Sequence, residues 1–258
     1  MRKIARVLLG LFVSLLFFGC ASVPRPAVSV PTASAPPYEA WARVLDKYVD
    51  DQGRVNFKGV AADHADLDQF VAYIYDNAPN NQAQLFPTPA HVLAFHINAY
   101  NALAMHKVVQ AGIPETLSGL KKVGFFYLGK VQVGGAPISL YDYENKVIRA
   151  LGETRIHVAL NCMSVGCPRL PREVFSADKL ENQLDREAKK FFNEDRNVQV
   201  NDAMKVIKVS EILKFYTADF LAKAASLTEY VNRYREVKVP ENYTLDFIDY
   251  DWTINLAP

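Results

Sequence analysis

The residues best suited to chemistry lie between Ile156 and Leu170, in the run IHVALNCMSVGCPRL. His157 precedes an apolar stretch that ends at Cys162, and Cys167 follows in a Gly-Cys-Pro turn. Imidazole and thiol are the side chains most readily tuned for proton transfer or nucleophilic attack near neutral pH. Three chemistries fit this set. A Cys–His pair could generate a thiolate nucleophile, with His157 accepting its proton. Cys162 and Cys167 could instead close a small disulfide loop. A metal site would need another ligand, and the His157, Cys162 and Cys167 spacing matches no usual zinc pattern, so no metal is assigned.

Three further segments place polar residues in apolar surroundings. In AFHINAYNALAMHKV, Asn98 and Asn101 share one face of a helix that is apolar nearly all round. A buried amide needs partners, so each either fixes the backbone of a neighbouring loop or contacts substrate. His96 and His106 lie on other faces and read as surface or core histidines. In ISLYDYENKVIRAL, Glu144 and Arg149 are five apart, too far round the helix to pair with each other, so either can seek a partner on another element. Glu144 could orient His157. At the C-terminus, IDYDWTIN alternates Asp249 and Asp251 with Tyr250 and Trp252. Such alternation suits an edge strand with its aromatic face packed, and Asp251 is a second candidate carboxylate for His157.

The elements that would hold these groups are mostly helical. The spacing of Trp41, Val44, Leu45 and Tyr48 predicts a helix over 38–49, and a second pattern covers 65–76. Thr88-Pro89 opens a long helix to about Gln110, with Thr88 as cap and Gly112 after its end. Val55 to Phe57 reads as a short strand, Phe125 to Val133 as a hairpin, and Tyr141 to Leu151 as a helix that Ser139 precedes. Arg155 to Leu160 reads as a strand that presents His157 and Ala159 on one face. Ser176 caps a charged amphipathic helix over 177–192. Val198–Val200 and Lys205–Val209 form a second hairpin, helices follow over 210–216 and 218–234, and 247–255 ends in strand or loop. Helices interrupted by hairpins, without strict alternation, predict an α+β domain that is predominantly helical with small antiparallel hairpins.

The N-terminus carries an address. Arg2, Lys3 and Arg6 precede an apolar run, Val7 to Phe18, that is short for a membrane span, and Gly19-Cys20 closes it. This pattern resembles a bacterial lipoprotein signal, with residues 1–19 removed and Cys20 lipidated, a palmitate-type anchor. Ala21 rather than Asp after the cysteine points to the outer membrane, with the domain facing the periplasm. Residues 20–37, rich in Pro, Ser and Ala, read as an extended tether, and 38–258 as one globular domain. At about 3 Å per residue the tether would reach on the order of 50 Å, enough to free the domain from the surface. Of 29 Lys and Arg, removing Arg2, Lys3 and Arg6 leaves 26 against 28 Asp and Glu. With no basic run or patch, nucleic acid is not an expected partner, and the membrane is. An oxidising periplasm strengthens the disulfide reading of Cys162 and Cys167.

FHINAYNAL, LYDYENKVIR, IHVALNCMSVGCPRL and the terminal YDWTIN together resemble the bacterial and plant family known as domain of unknown function 547. The resemblance runs from about Ala40 to Asn255. It implies a role for Asn98, Tyr100, Asn101, Glu144, Arg149, His157, Cys162, Cys167, Pro168, Asp251 and Trp252. Members often carry Trp at the place of His96 and Ser at that of Gly166, so neither position here is expected to act in a way common to the family. The family implies no agreed reaction.

Two functions follow as expectations. One is a thiol-dependent hydrolase or transferase, broadly papain- or transglutaminase-like. Cys162 or Cys167 would be its nucleophile, His157 the base, Glu144 or Asp251 the orienting carboxylate, and Asn98 or Asn101 the oxyanion donor. The other is a non-catalytic binding or scaffold lipoprotein stapled by a Cys162–Cys167 disulfide. Neither calls for a cofactor.

Overall fold

A computed structural model describes residues 22–30 and 35–258. The expected signal segment, Cys20 and residues 31–34 of the expected tether lie outside the described residues. The described chain is an α+β domain organised around one helix. Helix α1 (Tyr38–Tyr48), α2 (Phe57–Ala62) and α3 (Ala65–Asp76) surround α4 (Pro89–Gln110). Thr88 caps α4 by accepting the His91 N–H at 3.3 Å, and Pro89 occupies its first turn as expected. From Leu93 to Val108 every residue of α4 is buried, which explains its all-round apolar sequence.

Two short sheets flank this bundle. Strands β1 (Lys130–Val133) and β2 (Ala136–Ser139) form an antiparallel hairpin, with Gly134 and Gly135 at positive φ in its turn. After α5 (Gly119–Lys122), residues Val123–Leu128 form a π-helical turn, so the first half of the expected 125–133 hairpin is helical. Buried Lys107 of α4 fixes this turn, its Nζ donating to Phe125 O and, at 2.8 Å, to Gly129 O. A second π-helical turn, Tyr143–Ile148, follows α6 (Leu140–Asp142), which Ser139 caps by accepting the Asp142 N–H. Paired π-turns widen a helix locally and re-aim its side chains. Both turns contribute to the pocket described below.

A second, smaller core forms around α7 (Leu180–Asn193), with β3 (Val198–Asn201), β4 (Val206–Ser210), α8 (Ile212–Phe215), α9 (Thr217–Leu221), α10 (Leu227–Tyr234) and β5 (Thr244–Ile248). Strands β3 and β4 are the expected hairpin. Strand β5 lies parallel to β4, not antiparallel, because the helical stretch between them carries the chain back across the sheet.

Four sequence expectations change. The helix expected over 177–192 under a Ser176 cap begins at Leu180, with Lys179 at its N-cap and no side-chain cap bond; the Ser176 N–H donates instead to Gln183 Oε1. Arg155 to Leu160 is not a strand: Thr154–Val158 is a 3₁₀ helix capped by Glu153, whose carboxylate accepts the Arg155 N–H. A short apolar run cannot be assigned from periodicity alone, and this one is buried between the two cores with no strand beside it. Val55 makes isolated bridges to Val49 and Leu256, while Phe57 opens α2. Residues 22–30, assigned by composition to a free tether, lie on the domain. The Val23 N–H donates to Lys130 O at 2.8 Å, the Tyr75 hydroxyl donates to Val23 O, and Arg25 forms a bidentate pair with Asp76. Pro26 is buried, and Val23 and Val30 pack against the main core.

Candidate active site

Between the two cores opens a pocket of about 360 Å³. One wall is the loop that carries the cysteines. It leaves the 3₁₀ helix at Val158 and is held by two asparagines. Asn101 donates to Ala159 O at 3.1 Å and accepts the Asn161 N–H at 2.7 Å; Asn161 in turn donates to Pro168 O and accepts the Met163 N–H. Met163 sits at φ 73, a conformation disfavoured for a side chain larger than glycine and sustained here by those bonds. The C-terminal segment clamps the same loop from outside: Val165 N–H donates to Thr253 O, Gly166 N–H to Asp251 O, and Asn255 N–H to Met163 O. A Cβ at Gly166 would stand 2.8 Å from the Asp251 nitrogen, so glycine is what permits this approach.

Within that loop Cys162 and Cys167 are joined as a disulfide, their Cα atoms 6.2 Å apart. The Cys162 N–H donates to Cys167 Sγ at 2.9 Å. The Tyr250 hydroxyl lies 3.0 Å from Cys162 Sγ and 2.9 Å from Cys167 Sγ, bridging the pair. Both sulfurs line the pocket, Cys162 half-buried and Cys167 buried.

His157 lines the same pocket and is buried. Its Nε2 is 2.8 Å from Asp219 Oδ2, and its ring stacks on Tyr216 with centroids 3.9 Å apart. Asp219 also accepts both arms of Arg149, at 2.8 and 2.7 Å. That guanidinium, then His157, holds the Asp219 carboxyl below its ordinary range. An ionised Asp219 accepts, so Nε2 carries the proton and Nδ1 is the basic nitrogen. Nδ1 has no hydrogen-bond partner among the described residues. Burial lowers the imidazole pKa to about 4, with Asp219 opposing the shift, so the ring is neutral at pH 7 and able to accept a proton.

Glu144, from the second π-turn, faces the pocket and accepts hydrogen bonds from Tyr100 Oη at 3.0 Å and from Tyr216 Oη. Burial raises its carboxyl pKa against the opposing pull of these bonds, and raises both tyrosines as well. Much of the remaining lining is aromatic, from Phe126, Tyr127, Tyr141, Phe215 and Trp252, with Lys122 Nζ 3.7 Å above the Trp252 ring.

The structure therefore unites His157, Cys162, Cys167 and Glu144, along with Tyr100, Arg149, Pro168 and Trp252. Glu144 is not the carboxylate on His157, and neither is Asp251. Asp251 is exposed and its Oδ1 caps the Thr253 N–H. Asn98 and Asn101 do not reach the pocket as oxyanion donors. Asn98 grips Phe175 through both N–H and C=O and donates to Ala94 O, so, like Asn101, it is spent on backbone. His96 is a core histidine, bonded to the Tyr143 hydroxyl at 2.8 Å. The sequence reading missed Asp219, Tyr216 and Tyr250. Arg149, which on its own helical stretch meets the Asn145 amide but no carboxylate, was the one signal that a distant carboxylate was required. Among the described residues no group of three or more His, Cys, Asp and Glu is set to hold a metal.

Residues 87–192 match the family described as a protein of unknown function, DUF547. The match takes in α4, the second π-turn and the cysteine loop, a shorter span than the motifs suggested. The side chains from Glu211 onward that complete the pocket lie beyond it. No curated protein and no solved structure matches the chain.

Proposed function

We propose that this chain, which carries the DUF547 match over residues 87–192, is a cell-envelope lipoprotein whose pocket performs thiol-dependent acyl transfer or hydrolysis. The observation that carries this reading is a buried, neutral His157 with Asp219 on Nε2 and nothing on Nδ1, lining one cavity with both sulfurs. The resting disulfide is opened by an external dithiol of the envelope, which is oxidised as Cys162 and Cys167 become thiols. Cys167 is then the favoured thiolate, because the Cys162 N–H and the Tyr250 hydroxyl both point at its sulfur. Nδ1 of His157 takes the thiol proton, Asp219 and Arg149 hold the ring, and Glu144 stands opposite as a carboxyl that retains its proton more readily than an exposed one. Lipidation of Cys20 and residence at the periplasmic face of the outer membrane are supported by the charged, apolar and Gly-Cys pattern of residues 1–20.

The test is alkylation of the reduced protein, resolved by residue through mass spectrometry across pH. Cys167 is expected to titrate at or below about 7, against about 8.5 for an unperturbed thiol, and His157→Gln to raise that value. An ordinary titration of both thiols, unchanged in His157→Gln, overturns the catalytic reading. It leaves the second reading, a staple, which the clamped and disulfide-closed loop favours.

A further inference from the structure

We propose that the face formed by residues 118–130 together with Tyr141 docks on an anionic phospholipid bilayer, the one that holds the chain's own anchor. The inference rests on the lipoprotein reading above. Its first support is exposure. Leu120 is 88% exposed, and Val123, Tyr127, Leu128 and Tyr141 also stand out from the surface. Single exposed apolar side chains are ordinary on a protein, but a cluster within one short segment is not. Tyr127 and Tyr141 stack on each other with centroids 4.5 Å apart, an aromatic pair of the kind that settles at the headgroup level.

The second support is charge. From Thr116 to Tyr141 the chain holds Lys121, Lys122 and Lys130 and no Asp or Glu, although the mature chain as a whole is slightly acidic. The flanking acids are Glu115 and Asp142; Asp142 pairs more closely with Lys146, at 3.1 Å, than with Lys130, at 4.0 Å. Cations set among apolar and aromatic side chains match an anionic lipid surface.

The third support is the path of the chain. Val23 is hydrogen-bonded to Lys130 O, and Arg25 is locked to Asp76. Only two residues, Ala21 and Ser22, separate Val23 from Cys20, so the Cα atom of that cysteine lies within about 11 Å of that of Val23 whatever the path between. The expected 50 Å reach is thus lost to the docked strap, and β1 is held close to the bilayer. The apolar segment ends where β1 begins. It is rigidly mounted through Lys107 and through the Leu117 N–H, which donates to Trp252 O. Tyr127 and Tyr141 belong to this face and to the pocket wall, so docking brings the rim of the pocket to the lipid.

The test uses full-length protein purified from membranes and placed in vesicles containing brominated lipid, with or without phosphatidylglycerol. The emission added by Leu120→Trp is compared with that added by Val237→Trp, a site 74% exposed in the second core region. We expect the added emission at 120 to be quenched at least about twofold in phosphatidylglycerol vesicles, and that at 237 to be nearly unquenched. The Lys121→Glu, Lys130→Glu double variant should remove most of the difference. Equal quenching at the two sites, in protein whose N-terminal peptide has the mass of a lipidated Cys20, overturns the docking and leaves the anchor standing. A peptide mass without lipid overturns both.

Discussion

Two regions of this molecule bury polar side chains a few ångströms apart, and they do so to opposite ends. Along α4, Asn98 and Asn101 sit in an almost wholly apolar helix, and Asn161 lies just beyond it. Each uses its carbonyl and its amide on the backbone of a neighbouring segment: Phe175, Ala159, Asn161, Pro168 and Met163. Across the pocket wall, His157 keeps one nitrogen without a partner, Glu144 is held by two hydroxyls, and the cysteine sulfurs share one phenol. His157 is as buried as the three asparagines, so burial alone does not separate scaffold from site. What separates them is whether the hydrogen-bonding capacity is already consumed. A saturated amide fixes a loop; an unsaturated imidazole beside a cavity has capacity left for a ligand or a proton.

The sharpest way to break the comparison is at Asn101. Asn101→Ala strands Ala159 O and Asn161 N–H in the core, and about 3 kcal/mol of folding stability should be lost. A shift in the urea midpoint worth less than about 0.5 kcal/mol would mean that the amide is not what holds the cysteine loop.

Acid titration of His157 comes next. The unfolded chain takes up its proton near pH 6.5 while the folded imidazole holds out to about 4, so stability falls as pH drops through that interval. The loss attributable to this one residue is about 2–3 kcal/mol. It should appear as a shallower acid limb in His157→Gln, measured by urea unfolding at pH 7, 5.5 and 4.5. His96, also depressed to about 4 by burial, keeps a residual slope in that variant. Superimposable pH profiles of the two proteins would remove His157 from the unsaturated class.

The smallest effect on folding is expected at Tyr250. Tyr250→Phe keeps the packing and removes the hydroxyl shared by the two sulfurs, so stability should change by no more than about 1 kcal/mol. In the reduced protein, however, the alkylation pKa of Cys167 should rise. A thiol that titrates identically in the variant would place the phenol with the scaffold.

How far the sequence could be read follows from range. Local signals survived folding: the Thr88-Pro89 start of α4, the β3–β4 hairpin, and the concentration of chemistry in IHVALNCMSVGCPRL all rest on neighbours within a few residues. The strand assigned to 155–160 failed because an apolar run carries no period that distinguishes a buried strand from a buried turn. The tether assignment failed over residues 22–30 because composition cannot register a specific fit: Val23, Arg25 and Pro26 meet partners on β1 and α3.

By itself the sequence determined the helical α+β class, the polar residues worth watching, and the pair of cysteines able to join. Only the tertiary structure decided which carboxylate serves His157. Glu144 and Asp251 were the candidates the motifs offered, yet Asp219, 62 residues along the chain and in none of those motifs, is the one at 2.8 Å. The physical reason is that a hydrogen bond selects by position in space, at about 3 Å and along one direction. Nothing in the order of residues encodes that position until two separate cores have packed and left a pocket between them.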